Sequence, residues 1–234
     1  MANENQNRFC ICISDGPQGS NEKAALLNEA RWNPGDVIRI KFLEGDASLQ
    51  DRVRSTAERW TEPGMANLQF QWVDSGDAEI RIAFMQGDGS WSYLGTVCRS
   101  ISDPEPTMNY GWLTPDSDDE ELNRVVMHEF GHALGLIHEH QNPEGGIEWN
   151  EPAVIAELSG PPNSWSEEQI RVNVLNHYPK GDVTTTPVDP DSIMMYPIPA
   201  SWTLDGFSAD LNADVSPQDR EFISQEYPGE GQAG

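Results

Sequence analysis

The chain has 234 residues, of which 14 are basic and 39 acidic, so its formal net charge is −25 at pH 7. This charge argues against nucleic acid and anionic membrane surfaces as partners, because both would repel it. Hydrophobic residues make up 37% of the chain, enough for a packed core. The carboxylates serve solubility, favour basic side chains in a substrate, or hold calcium; composition leaves these three interpretations open.

The cysteines and the apolar pattern bear on where the chain works. No run of about 18 apolar residues is present to span a membrane, and no apolar block follows a basic start, as a secretory signal requires. Three cysteines, Cys10, Cys12 and Cys98, are too few for a disulfide framework and favour a reducing compartment. We therefore expect a cytoplasmic protein, with non-classical export left open. The oligomeric state is not indicated.

In chain order, residues 1–20 are interpreted as a polar arm that could be a pro-segment, with one alternating apolar patch from Phe9 to Ile13. Residues 21–234 are interpreted as one two-lobed domain, with an upper lobe over about 21–138 and a lower lobe over about 139–234. In the upper lobe, residue alternation predicts strands and helical spacing predicts one helix. The segments are, in order, VIRIKFLEG, the helical SLQDRVRSTAERWTE, LQFQWV, AEIRIAF and TMNYGWL.

A long helix is predicted for PDSDDEELNRVVMHEFGHALG, opened by a Ser117-x-x-Glu120 capping box. Two later helices are predicted at SEEQIRVNVLNHY, opened by Ser166, and at SPQDREFISQEY, opened by Ser216. The segments between them are predicted to be loops.

The segment HEFGHALGLIH has the spacing of a zinc site. His128 and His132 are four apart on the predicted helix, so they project from one face as two zinc ligands. Gly135 can end the helix and let His138 return as the third ligand. The fourth position is left for water, whose pKa zinc lowers to about 7. Glu129 is placed to take a proton from that water.

The rival hypothesis is a zinc-binding or regulatory module without catalysis. Such a module needs the histidines but no base, so the presence of Glu129 favours the enzyme. His140 has no ligand spacing and is expected on the surface or in a loop.

The same segment matches the H-E-x-x-H-x-x-G-x-x-H signature of the metzincin zinc peptidases, and Glu139 after it is typical of the astacin branch. DSIMMYP resembles the astacin S-I-M-x-Y pattern. The resemblance implies that Met194 forms a turn beneath the metal. It also implies that Tyr196 ligates zinc at rest and later hydrogen-bonds the oxyanion. Only three cysteines are present, so the disulfides of secreted astacins cannot form.

The resemblance implies an α+β, two-lobed catalytic domain and an endopeptidase with one zinc ion that acts on proteins or peptides. The upper lobe would hold a twisted, mostly parallel sheet with an edge strand and two helices. The lower lobe would be irregular and end in a helix. TMNYGWL looks like the rim strand that pairs with bound peptide.

The two cysteines of the arm suggest latency. If the arm crosses the cleft, the thiolate of Cys10 or Cys12 could take the water position on zinc and block hydrolysis. The alternative interpretation is that both are small apolar residues of a strand.

Overall fold

The computed structural model describes residues 10–13, 30–161, 163–179, 183–184 and 186–229. The strands in these ranges form one six-stranded sheet. They are β1 (Cys10–Ile13), β2 (Val37–Phe42), β3 (Gln69–Trp72), β4 (Ile80–Ala83), β5 (Ser90–Tyr93) and β6 (Met108–Tyr110). The order is β1-β5-β6-β4-β2-β3. Only β5 and β6 pair antiparallel, whereas the other four pairings are parallel.

Five α-helices lie within the described ranges. They are α1 (Ala47–Ala57), α2 (Asp119–Ala133), α3 (Glu151–Leu158), α4 (Glu167–Ile170) and α5 (Pro217–Glu226). A π-helical turn, Arg171–Leu175, follows α4 directly. No helix in these ranges has the length and apolar character needed to cross a membrane.

The predicted α+β fold with a mostly parallel sheet is confirmed, and β2, β3, β4 and α1 lie where the patterns predict them. The prediction that TMNYGWL forms the rim strand is wrong. Its strand β6 lies inside the sheet, between β4 and β5. The neighbouring β5, of sequence SWSY, lies second from this edge of the sheet, and β1 is the edge strand on its outer side. The apolar pattern does not reveal this strand, because two of its four residues are serines and it lies next to a glycine-rich connection.

The start of α2 differs from the prediction by one residue. The N-cap is Asp118, whose carboxylate accepts from the amide of Glu121 at 2.8 Å. Ser117 instead accepts from the amide of Thr114 through its hydroxyl, at 2.9 Å. A carboxylate at the N-cap also complements the positive end of the helix dipole, which a serine does not.

The two helices predicted after the metal-site segment begin where expected, but one further helix was not predicted. Ser166 and Ser216 both open a helix with a capping box, as expected. The eight-residue α3 was not predicted, because prolines and glycines surround it in the sequence.

Two hydrophobic clusters hold the described residues together. The larger one joins the sheet to α1 and α2, and takes in Ile223 and Tyr227 from the C-terminal end. The smaller one is built around Trp202, Ile198 and Val154. Met194 belongs to the larger cluster and Tyr196 to the smaller. The chain segment that carries both residues therefore connects the two cores.

Candidate metal centre

Three histidine side chains meet at the C-terminal end of α2. One nitrogen each from His128, His132 and His138 lies within 4.8 Å of the others. The Nε2 atoms of His132 and His138 are 3.1 Å apart. All three side chains are buried, and burial lowers the pKa of each imidazole, that of His132 to about 4. The rings are therefore neutral at neutral pH, as metal ligands must be.

Backbone carbonyls fix the orientation of the two helical histidines. Nδ1 of His128 lies 2.7 Å from the carbonyl oxygen of Ile193, and Nδ1 of His132 lies 2.8 Å from that of Leu136. A carbonyl oxygen only accepts, so each Nδ1 carries the proton and each Nε2 keeps its lone pair. Nε2 of His128 has no hydrogen-bond partner among the described residues. Converging buried lone pairs of this kind fit a zinc ion.

Gly135 ends α2 and returns the chain toward the triad. Its φ is +97°, a left-handed conformation that glycine adopts without strain. The amide of Gly135 donates to His132 and that of Leu136 donates to Gly131, at 2.8 and 3.0 Å. These two bonds are the Schellman arrangement that satisfies the last carbonyls of a helix. His138 follows three residues later and lies beside the two helical histidines.

The turn at Met194 lies directly against α2. A Cβ on Gly131 would come within 2.4 Å of the Met194 sulfur, so the methionine occupies the space that the glycine leaves. The same turn is held by Asp219, which was not predicted. Its carboxylate accepts from the Ser192 hydroxyl at 2.7 Å and from the Ile193 amide at 2.9 Å. Asp219 is the last residue of the Ser216 capping box, and that motif is its only sequence signal.

Glu129 is a fully buried carboxylate beside the triad. Neither of its oxygens has a hydrogen-bond partner in the part of the chain that is described. Burial raises the pKa of this carboxyl to about 8, although the nearby Cys10 thiol and Arg124 guanidinium lower it. Cys10 is therefore close enough to affect the pKa of Glu129. The contact between its thiol and the carboxylate does not have the geometry of a hydrogen bond.

Tyr196 lies between the triad and β1. Its hydroxyl donates to the backbone carbonyl of Cys10. Its ring centroid is 4.2 Å from that of His138 and 4.6 Å from that of His140. His140 is 0% exposed, so the expectation of a surface position is wrong. The ring is buried because it packs behind Tyr196.

The predicted arm contributes β1 to the site. Cys10 is a free, buried thiol, and it lines one cavity together with Arg124, His128 and Tyr196. Burial, followed by the charge of Glu129, raises the pKa of this thiol well above its ordinary value. The backbone of Cys12 pairs with Ser92, whereas its side chain lies outside what the structure describes.

The α+β fold brings three buried imidazoles together beside a buried glutamate, and this site fits a zinc ion. The sequence model of the astacin peptidase family matches residues 26–146, more than half of the chain. The chain therefore belongs to the astacin peptidase family, and zinc is the cofactor that this family implies for the histidine triad.

Two curated proteins are similar to part of the chain. The chain is 26% identical over 129 residues to zinc metalloproteinase nas-30 of Caenorhabditis elegans, covering 55% of this chain and 15% of the relative. It is 28% identical over 120 residues to interstitial collagenase of Bos taurus, covering 45% and 25%. The chain thus spans a quarter or less of the length of these two relatives.

Solved structures match more of the chain. A structure of myroilysin has a TM-score of 0.84 at 39% identity and covers 87% of this chain and 98% of that one. High choriolytic enzyme 1, a hatching enzyme zinc-protease from Oryzias latipes, has a TM-score of 0.55 at 14% identity and covers 91% and 98%. The second likeness is one of fold alone.

Proposed function

We propose that the chain cleaves internal peptide bonds of proteins, with one zinc ion held by His128, His132 and His138 and with Glu129 as the general base. The observation that carries the proposal is the Glu129 carboxylate, which is buried beside the triad with both oxygens unpartnered among the described residues. An unpartnered buried carboxylate costs free energy of folding. A site that only binds metal has no use for this group, so its retention supports catalysis.

Zinc, when bound, supplies a Lewis acid and makes a hydroxide-like nucleophile available near neutral pH. Glu129 takes a proton from the attacking water and returns it to the leaving nitrogen. The Tyr196 hydroxyl donates a hydrogen bond to the carbonyl oxygen of the scissile bond as negative charge develops there. Its bond to the Cys10 carbonyl supports this role, because that hydroxyl reaches a backbone carbonyl lying at the triad.

The substrate is proposed to bind along β5. When β1 is displaced, β5 offers unpaired backbone groups to an extended peptide. Main-chain pairing holds a substrate anywhere along its length, so cleavage within a protein follows.

The arm is proposed to keep the enzyme latent until it is removed. Three contacts support this: β1 pairs with β5, the Cys10 carbonyl accepts from Tyr196, and the Cys10 thiol lies beside Glu129. The arm thereby occupies both the strand position and the catalytic groups that a substrate needs. A cysteine sulfur is also a good zinc ligand, so we further propose that Cys10 or Cys12 blocks the metal, although among the described residues the group close enough to share one ion holds the three histidines and not Cys10.

The catalytic proposal is tested with Glu129→Gln in arm-free protein, using casein hydrolysis and zinc content as readouts. We expect full zinc content and a loss of at least 100-fold in rate, typical of a lost general base. Glu120→Gln, an exposed glutamate on the same helix, is the matched control and should keep its activity. A zinc-loaded, arm-free wild type that cleaves neither casein nor a peptide library would favour the binding module instead.

The latency proposal is tested by proteolytic cleavage after residue 13 and by Cys10→Ser and Cys12→Ser variants. Cleavage should raise peptidase activity, and the serine variant of the blocking cysteine should be partly active with the arm intact. Cys98→Ser, at a buried cysteine remote from the triad, is the control. Equal peptidase rates before and after cleavage would contradict the latency proposal.

A further inference from the structure

The turn that follows the third histidine is tied to the π-helical turn Arg171–Leu175. The side-chain amide nitrogen of Gln141 donates to the carbonyl oxygen of Val172 at 2.8 Å and to that of Asn176 at 3.2 Å. His140 contacts the carbonyl oxygen of Asn173 through Nε2, at 3.0 Å. π-Helical turns occur often at functional sites, and this one, with Asn176 that follows it, presents three carbonyls to His140 and Gln141.

These carbonyls decide which end of the Gln141 amide faces the metal centre. A carbonyl oxygen cannot donate, so the NH₂ group of Gln141 must face Val172 and Asn176. The amide oxygen then faces His138, with Oε1 3.4 Å from Nδ1. The reversed amide would lose both hydrogen bonds and set its oxygen against two carbonyl oxygens. Gln141 is buried, so water cannot replace the lost partners.

The amide orientation in turn selects the tautomer of His138. Because Oε1 of Gln141 only accepts, Nδ1 of His138 carries the proton and Nε2 keeps its lone pair. The other tautomer would donate from Nε2 to Nε2 of His132, 3.1 Å away. That hydrogen bond would engage both Nε2 atoms, so neither would keep a lone pair for a cation.

We propose that Gln141 is a positioning residue that holds His138 in the Nδ1–H tautomer and so keeps its Nε2 available to zinc. Backbone carbonyls do the same for His128 and His132, which makes His138 the only one of the three whose tautomer depends on a side chain. The inference rests on the proposed function, since it takes His138 as a zinc ligand.

The test is the zinc affinity of the full-length Gln141→Leu variant, measured by competition with a chromophoric chelator. We expect the affinity to fall about tenfold, the lower end of the range for partners of metal-bound histidines, because 3.4 Å is the longest of the three Nδ1 contacts. The matched control is Gln50→Leu. Gln50 also donates to two backbone carbonyls, at 3.0 and 3.2 Å, but contacts no histidine, so its affinity should be unchanged.

A Gln141→Leu affinity within twofold of the wild type would overturn the proposal, and so would an equal loss in Gln50→Leu. If Gln141→Leu does not fold, the wild type still provides a test. In metal-free protein with ¹⁵N-labelled histidines, NMR should find the Nδ1–H tautomer at His138, and the Nε2–H tautomer would overturn the proposal. A wild type that binds no zinc contradicts the proposed function itself, whereas zinc binding unaffected by Gln141→Leu contradicts only the role of Gln141.

Discussion

Gly131 shows how one position in the metal-binding helix is set by a contact 63 residues further along the chain. A glycine inside a helix costs about 1 kcal/mol relative to alanine, so propensity alone favours alanine here. The Met194 sulfur fills the space that an alanine Cβ would need, at 2.4 Å, and Met194 is itself buried. Packing against Met194 therefore favours glycine at position 131, whereas helix propensity favours alanine.

We predict that Gly131→Ala destabilises the protein, because an overpacked core costs about 1–3 kcal/mol, more than the helix propensity returns. In a Met194→Ala background the space is free, and the same change should be neutral or stabilising. Urea unfolding of the four proteins in the double-mutant cycle measures the difference. An equal cost in both backgrounds would show that Met194 is not the cause.

Tyr227 predicts a pH dependence of stability. Its buried hydroxyl donates to the carbonyl of Leu134 at 2.5 Å, and burial raises its pKa to about 12. The folded-state pKa lies above the unfolded value of about 10, so this contribution is present below pH 10 and is lost as the pH rises toward 12. Tyr227→Phe should cost about 1 kcal/mol at pH 8, and the difference from wild type should shrink above pH 10. Urea midpoints from pH 8 to 11.5 test this; a constant difference contradicts it.

At the residue scale, the sequence predicts which side chains lie close together where they are spaced along one helix. His128, Glu129 and His132 lie within one helical turn, so their proximity follows from helix geometry. Asp219 and Gln141 could not be found in this way. Their partners lie 26 to 35 residues away, and nothing in the local pattern indicates which carbonyl or amide they will reach.

At the scale of elements, the end of α2 couples backbone conformation to metal binding. A Cβ on Gly135 would meet only the Tyr227 hydroxyl at 3.7 Å and the Ala30 carbonyl at 3.9 Å, which is ordinary contact. The cost of a side chain at this position is therefore the left-handed backbone itself, about 1–2 kcal/mol.

We predict that Gly135→Ala lowers both the unfolding free energy and the zinc affinity, because relief of the strain shifts the segment that carries His138. Gly64→Ala is the matched control, since Gly64 also has a positive φ, +90°, and nothing within 4 Å of its added Cβ. Both variants should lose similar stability by thermal melting, but only the first should lose zinc affinity in chelator competition. Equal zinc affinity in the two would refute the coupling.

The order of strands was harder to predict than their positions. Alternation located β2, β3 and β4, because each places apolar side chains in the core. It did not locate β5, because two serines interrupt its apolar residues and backbone pairing on both sides holds it in the sheet.

At the scale of the whole molecule, the metal centre lies where the two hydrophobic clusters meet. The resemblance to metzincins predicted a two-lobed α+β fold. It did not predict that Ile223 and Tyr227 at the C-terminal end would pack into the larger core, because that depends on how the last helix crosses back over the molecule.

We predict that zinc removal lowers the melting temperature by about 5–10 °C. Zinc at 100-fold excess over its dissociation constant stabilises the folded state by about 2.7 kcal/mol, and each kcal/mol is worth about 2–4 °C in a protein of this size. Calorimetry with and without chelator measures the shift. It should vanish in His132→Ala and persist in His177→Ala, an exposed histidine outside the triad. A shift that survives in His132→Ala would place the stabilising ion elsewhere.

The pairing of β1 with β5 also affects whether copies of the protein associate with one another. Once β1 is gone, β5 carries a row of unpaired N–H and C=O groups, and such an edge is a template for strand pairing between molecules. The net charge of −25 keeps copies apart by repulsion, which salt screens over about 10 Å at 0.1 M. If activation removes β1 as proposed, the β5 edge that would take the substrate would also favour self-association, and more strongly at higher ionic strength.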